Sequence, residues 1–498
     1  MLHKYLPRIE FDSYDDFINN YKLNIPENFN FGFDIVDGWA NDNPDKPAMV
    51  WCNSEGEERR FSFGELKKLT NKAANFFLST GIKKGDSVML ILKRRYECWI
   101  CMVALHKIGA ICIPASIQLT TKDIVYRSNA ASVKMIVSVK EENIIKQIDG
   151  AIPDSPNIIS KAFVGTGVDA NEGCVDSNNV DFNEGWIDFN IEYDKCSEIF
   201  DRPTGKDVTQ NTDIMLMYFT SGTTGMPKMV KHDYTYPLGH ITTAKYWQQV
   251  EDGGLHLTVA DSGWAKFGWG KIYGQWICGA VQFVYDMERF IPDDLMRIME
   301  KYKLTTFCAP PTIYRFLIKE DLSKYDFSSL HHCSTAGEPL NPEVFNQFYQ
   351  ATGLKIMEGF GQTESTVLLA TFKWLEPKIG SMGRPAPLYN MSIVDENGND
   401  VEEGIEGNIV IHCNAEDKPA GLFGGYYRDE ELTNKVWHDG FYNTGDVAWR
   451  DGDGFYWFIG RSDDVIKCSG YRIGPFEVES ALLEHPSVLE CAITAAPD

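Results

Sequence analysis

Between about residue 30 and residue 140 the sequence alternates helix-length amphipathic runs with short apolar ones, and few folds accept that rhythm. FSFGELKKLTNKAANFFLSTG (61–81) reads as a capped amphipathic helix, DSVMLIL (86–92) as a buried strand, the next stretch as a helix, and AICIPA (110–115) as another strand. That alternation is the signature of α/β layering around a parallel sheet. A Gly-, Asn- and Asp-rich stretch over 164–207 has weak periodicity and reads as an irregular connection. The α/β pattern resumes over 213–361. Beyond 379 the texture shifts to short strands and turns, as in SIVDENGNDVEEGIEGNIVIHC (392–413), which predicts a small β-rich subdomain. No internal repeat is visible.

With 498 residues and 43% hydrophobic composition the chain can bury large cores, and its length favours several domains. Its formal charge of −24 repels nucleic acid and anionic membranes over most of the surface, so an anionic ligand needs a local concentration of donors. The 12 cysteines are scattered. The close pair Cys98 and Cys101, in YECWIC, sits in an apolar, helical stretch without a second pair, which reads as buried thiols in a reducing compartment. The amino terminus MLHKYLPRIEFDSYDDFINNY lacks an apolar h-region and carries acids early, unlike a secretory signal. The apolar run over 102–115 contains His106 and Lys107 and is short of a membrane span, so the expected compartment is the cytosol.

The first chemical signal is TSGTTGMPK, Thr220 to Lys228, at the end of the apolar run 213–219. Gly222 and Gly225 let backbone N–H groups turn inward, Thr220, Ser221, Thr223 and Thr224 add hydroxyl donors, and Lys228 adds a charge. Such a loop cradles phosphate, although an isolated Gly/Ser/Thr cluster is often only a surface loop. It is not the P-loop pattern: Met229 follows the lysine where a magnesium-ligating Ser or Thr would stand.

Four further stretches follow in order: STAGEPLNPE (334–343), EGFGQTES (358–365), FYNTGD (441–446) and GRSDDVIKCSGYRIGPFEVE (460–479). With TSGTTGMPK ahead of them they resemble the adenylate-forming superfamily over nearly the whole chain. CAPPTIYRFLIKEDL (308–322) and GFGQTES bring the resemblance nearest to AMP-forming medium-chain acyl-CoA synthetases. The resemblance implies a large amino-terminal domain over 1–462, with two α/β subdomains to about 378 and a β-rich one over about 379–462. A hinge and the start of a small α+β carboxy-terminal domain would follow over 463–498. ATP, Mg2+ and CoA are the implied cofactors, and the partners are small molecules.

Residue by residue, the resemblance implies that the 220–228 loop wraps the β- and γ-phosphates. Thr363 would donate to the α-phosphate and Glu364 would hold magnesium. Gly337, Glu338 and Pro339 would wall the adenine, with Gly359 and Phe360 against the base and Glu358 accepting from its amino group. Asp446 would accept from the ribose hydroxyls with Arg461 beside it. Asp463 resembles the hinge, Arg472 a phosphate-contacting arginine, and Gly470 the point where the pantetheine arm passes.

In acetate-activating relatives a tryptophan matches Gly361 and valines match Ala336 and Ala265; small residues here imply a roomier pocket that takes medium-chain, branched or aryl acids and serves acetate poorly. In SGWAKFGWGKIYGQW (262–276), Trp264, Trp269 and Tyr273 either surround an apolar tunnel or pack helices, and Lys266 either sits at the rim or reads a polar group on the acid. The family's carboxy-terminal catalytic lysine has no match before Asp498, so the expectation is a fragment that adenylates slowly. Two other readings stay open: acyl transfer to a carrier protein, and a non-catalytic nucleotide-binding protein.

Overall fold

A computed structural model describes residues 1–165, 185–220, 226–464, 466–468, 471–483, 488 and 491–494. Among these residues the first sheet runs, in spatial order, through Trp186–Asp188, Ser160–Val164, Val133–Val139, Ser87–Ile91, Ile111–Pro114, Ile214–Thr220 and Lys228–Asp233. Neighbours are parallel except for the last pair. The second sheet runs through Arg384–Pro385, Leu369–Ala370, Ile356–Phe360, His332–Ala336, Thr306–Cys308, Leu255–Thr258, Val281–Asp286, Pro47–Asn53 and Glu58–Ser62. It is parallel through its middle and antiparallel at both edges. The architecture is therefore the α/β one that the alternation implied. Strands such as Ser87–Ile91 are buried at every position, which is why they read as unbroken apolar runs.

Helix Phe63–Ser79 begins at a capping box in which Ser62 accepts from the Glu65 N–H and the Glu65 side chain accepts from the Ser62 N–H. Helix Glu97–Ile108 is buried along its whole length and stops at Gly109, whose φ of +80° suits a left-handed cap. It carries Cys98 and Cys101 as free, buried thiols whose ionisation burial opposes. The described part of 164–207 is less irregular than its composition suggests: strand Trp186–Asp188 extends the first sheet, and Asp188 caps helix Phe189–Asp194. Local hydrogen bonding by Asp and Asn competes with periodicity there, so the pattern is faint although the elements form.

The short strands expected beyond 379 form an antiparallel sheet from Met391–Val394, Gly407–His412, Phe441–Arg450 and Trp437–His438, with Tyr456–Arg461 beside Phe441–Arg450. A ribbon of Ile466–Cys468 and Tyr471–Ile473 follows, then helix Pro475–Leu483.

The buried end of helix Glu97–Ile108 carries a charge. Lys107 Nζ donates to Asp37 Oδ1 and Asn71 Oδ1, each at 2.7 Å, tying this helix to Asp37–Asp42 and Phe63–Ser79. Burial lowers the lysine pKa to about 8 and raises that of the aspartate, so the pairing offsets desolvation only in part. Asp37→Ala strands the ammonium and is expected to cost about 3–5 kcal/mol. Urea unfolding should show that loss, and the double variant Asp37→Ala/Lys107→Met should recover most of it.

Candidate active site

The parallel strands Leu255–Thr258, Thr306–Cys308, His332–Ala336 and Ile356–Phe360 end on one edge of the second sheet, where open α/β sheets place their ligands. Two adjoining cavities open there. The larger, about 580 Å³, is lined by residues that follow these strands: 259–261 and 264–266, Pro310, 336–338 and 361–363, together with Arg94 and Trp269. The smaller, about 250 Å³, lies between 337–339 and 358–362 and is closed by Met382, Phe458, Asp446 and Arg461. Gly337, Glu338, Gly361 and Gln362 belong to both, so the two cavities share a wall.

In the smaller cavity Phe360 and Phe458 face one another with ring centroids 6.2 Å apart. Asp446, on Phe441–Arg450, is paired across the ladder with Arg461, whose Nη1 donates to Oδ1 at 3.2 Å. Gln362 Nε2 donates to the other Asp446 oxygen and, at 2.7 Å, to the Thr444 carbonyl, while its Oε1 accepts from Tyr442 at 2.7 Å. Burial pushes the Asp446 carboxyl up to about 6, against the opposing pull of Arg461 and Gln362. Glu358 is buried, with a pKa of about 8 for the same reason, and its two oxygens already accept from the Leu340 and Gly380 N–H groups. An adenine amino group would be a second donor on one of these oxygens. Glu338 is half-exposed, accepts from Thr312 and lies 3.6 Å from Arg315.

The larger cavity corrects the argument about Gly361. A Cβ at Gly361 would lie 2.4 Å from Trp269 Cη2, so the indole of Trp269 already fills the space that a side chain at 361 would take. Gly359 is likewise covered, with Trp247 2.5 Å from the position of its Cβ. Trp264, 65% exposed, stands at the mouth beside Ala265. Tyr273 lines neither cavity; it is buried edge-on against Phe31, with its hydroxyl 3.0 Å from His106 Nε2. Lys266 Nζ donates to the Ala336 carbonyl and sits over Gly337, whose φ of +104° keeps that side free of a Cβ.

Thr363 lines the larger cavity, and its carbonyl accepts from His232 Nε2 at 2.7 Å. Burial drives the His232 pKa down to about 3, so the ring is neutral and Nε2 carries the proton. Glu364 Oε1 accepts from Tyr426 at 2.8 Å, and Lys228 Nζ stands 5.6 Å from the centre of the same phenol ring. Thr220 and Lys228 face each other in the antiparallel pair that flanks the glycine-rich loop. Ser221, Gly222, Thr223, Thr224 and Gly225 lie outside the described residues, as does Gly470. Arg472 pairs through its backbone with Lys467, its side chain lying outside them too. Asp463 approaches Arg461 at 3.8 Å. Among the described residues no cluster of three or more His, Cys, Asp or Glu could hold a metal. A magnesium ion suits one carboxylate plus phosphate oxygens and water, and Glu364 keeps one oxygen free of the Tyr426 bond.

The profile of AMP-binding enzymes matches residues 36–427. The chain belongs to the AMP-binding enzyme family. It is 39% identical over 98% of its length to the rat mitochondrial acyl-coenzyme A synthetase ACSM3, covering 82% of that protein. Against the mouse mitochondrial acyl-coenzyme A synthetase ACSM4 it is 39% identical over 97% of its length, covering 81%. The crystal structure of Brucella canis acyl-CoA synthetase superposes with a TM-score of 0.80 at 27% identity, covering 98% of this chain and 87% of that one. The anthranilate CoA ligase AuaEII, solved with anthranoyl-AMP, shares the fold, with a TM-score of 0.83 at 24% identity over 95% of this chain and 86% of that one.

This AMP-binding enzyme is thus an AMP-forming acyl-CoA synthetase of the medium-chain group, whose members use ATP and CoA, generally with Mg2+. The rat and mouse relatives are mitochondrial, which overturns the cytosolic compartment expected from the cysteine usage and the amino terminus. Neither feature separates the cytosol from other reducing interiors. No helix among the described residues is long and apolar enough to cross a membrane.

Three residues of this site had been given no role. Gln362 stood inside a quoted motif, whereas His232 and Tyr426 reach the site only through the fold. If Asp446 accepts from both ribose hydroxyls as the carboxylate, whose two oxygens the protonated form cannot match, adenosine affinity should fall about tenfold between pH 7 and pH 5 as the carboxyl protonates near its pKa of about 6. Calorimetry with adenosine, which has no phosphate to titrate, checks this; Asp446→Asn should bind weakly with a flat profile.

Proposed function

We propose that the enzyme activates a medium-chain or branched carboxylic acid as its acyl-adenylate and passes the acyl group to CoA. The observation that carries this reading is the shared wall: a nucleoside-sized cavity and an acid-sized one meet at Gly337, Glu338, Gly361 and Gln362. A carboxylate oxygen attacks the α-phosphorus of ATP and pyrophosphate leaves. The CoA sulfur, as thiolate, then attacks the acyl carbon, the carbon–oxygen bond to AMP breaks, and AMP leaves. Both steps require negative charge to be held in place, which is positioning and electrostatics.

In this reading Gly337, Glu338 and Pro339 face Phe360 across the adenine, with Glu358 and Gly359 behind it. Asp446, held by Gln362 and Arg461, takes the ribose. Thr363 points at the α-phosphate while His232 fixes its carbonyl. The loop from Thr220 to Lys228 takes the β- and γ-phosphates. Glu364, oriented by Tyr426, would hold magnesium, whose charge helps neutralise the phosphates. Residues from Asp463 onward would be the hinge and beginning of a second domain that brings Arg472 and Gly470 to CoA; residues up to 462 would form the first.

The length of acid accepted is set by Trp269, because its indole occupies the space that Gly361 leaves. Acid-dependent ATP–pyrophosphate exchange in the full-length protein should be strong with 2-methylbutyrate and hexanoate and weak with acetate. Trp269→Ala should move the preference toward octanoate by about 0.8 kcal/mol for each added methylene buried. Measurable ATP binding without exchange for any acid would refute the ligase reading.

A further inference from the structure

The acid-side cavity contains a cation that no carboxylate among the described residues pairs with. Its other charged groups are paired: Arg94 lies 3.6 Å from Asp261, and Glu338 lies 3.6 Å from Arg315. Lys266 has one hydrogen-bond partner among the described residues, the Ala336 carbonyl, and no carboxylate within ion-pair distance. An ammonium has three donors, so two remain to be satisfied from the cavity.

The walls do not explain the lysine. Trp264, Ala265, Trp269, Ala336 and Gly361 are the apolar or small surface that an alkyl chain wants, and an ammonium among them is a cost unless something in the cavity compensates it. Burial is the main cause of the lowered Lys266 pKa, and the interactions with Cys308 and Glu338 oppose it only in part. The backbone is nevertheless shaped for this side chain. A Cβ at Gly337 would come within 2.8 Å of Nζ, so the left-handed glycine leaves the lysine its place over the strand end.

We propose that Lys266 is a specificity-determining residue and that the acid preferred by this enzyme carries an oxygen acceptor on its acyl chain, either an oxo or hydroxyl oxygen or a second carboxylate. The proposal rests on the ligase reading of the site and sharpens it. The acceptor takes the free N–H groups of Lys266, while the rest of the chain lies against Trp269. A plain alkyl acid leaves those donors unsatisfied, and sites built to hydrogen-bond a substrate group discriminate strongly against analogues that lack it.

The test compares matched acids in the full-length enzyme by kcat/KM for acyl-CoA formation: pentanoate against 4-oxopentanoate, 4-hydroxypentanoate and glutarate, and hexanoate against adipate. Wild type should favour at least one oxygen-bearing acid over its plain counterpart by about tenfold or more. Glutarate and adipate alone would identify an anionic acceptor, and 4-oxopentanoate or 4-hydroxypentanoate a neutral one. Lys266→Met should erase that preference and raise activity with the plain acid, with adenosine binding retained as evidence of an intact fold. A wild type that prefers the plain acids, or a preference for oxygen-bearing acids that survives in Lys266→Met, overturns the proposal. A failed ligase reading shows itself differently, as no pyrophosphate exchange with any acid.

Discussion

The segment from Met357 to Ser365 is fastened by its backbone carbonyls, and the site depends on that. Trp247 Nε1 donates to the Met357 carbonyl, the Thr371 N–H to that of Glu358, and the Leu368 N–H to that of Phe360. His232 holds the carbonyl of Thr363, the Phe423 N–H that of Glu364, and Trp269 Nε1 that of Ser365. With the main chain engaged from several elements at once, the side chains of Phe360, Gln362 and Thr363 are left to line the cavities. Preorganisation of this kind lets a site hold charge without reorganising during the reaction.

The same construction explains the glycines. Gly359 and Gly361 lie directly beneath Trp247 and Trp269, and the two indoles meet edge-to-face at 6.3 Å. A side chain at either glycine would lift an indole and, with it, a hydrogen bond that anchors the segment. Electrostatics follow a similar economy. The protein carries a net charge of −24, yet the buried carboxyls at the smaller cavity are each matched to donors: Asp446 to Arg461 and Gln362, Glu358 to two backbone N–H groups.

The α/β alternation was legible because apolar strands and a capped amphipathic helix are local patterns; the capping box at Ser62 and the buried strand Ser87–Ile91 need no tertiary knowledge. The strand that leads into the glycine-rich stretch was legible as an apolar run. The antiparallel strand Lys228–Asp233 that pairs with it was not, because it alternates polar and apolar residues and carries no strong strand signal of its own. What the sequence could not disclose is who fills space across the fold. Trp269 reaches Gly361 from a helix far away in the chain, Tyr273 four residues later turns into the core, and His232 and Tyr426 meet the Thr363–Glu364 pair only once the sheets have assembled. Residue size at Gly361 alone therefore misses the indole of Trp269 that lies against it, while residues of the STAGEP and EGFGQTES stretches come together at the two cavities.

The most direct test of this account is a crystal structure of the enzyme with a non-hydrolysable acyl-adenylate analogue, such as hexanoyl-sulfamoyl adenosine. The account predicts adenine between 337–339 and Phe360, both ribose hydroxyls on Asp446, and the acyl chain running past Gly361 against Trp269 with Lys266 beside it. An analogue bound with its adenine in the larger cavity, or with its ribose away from Asp446, would contradict it.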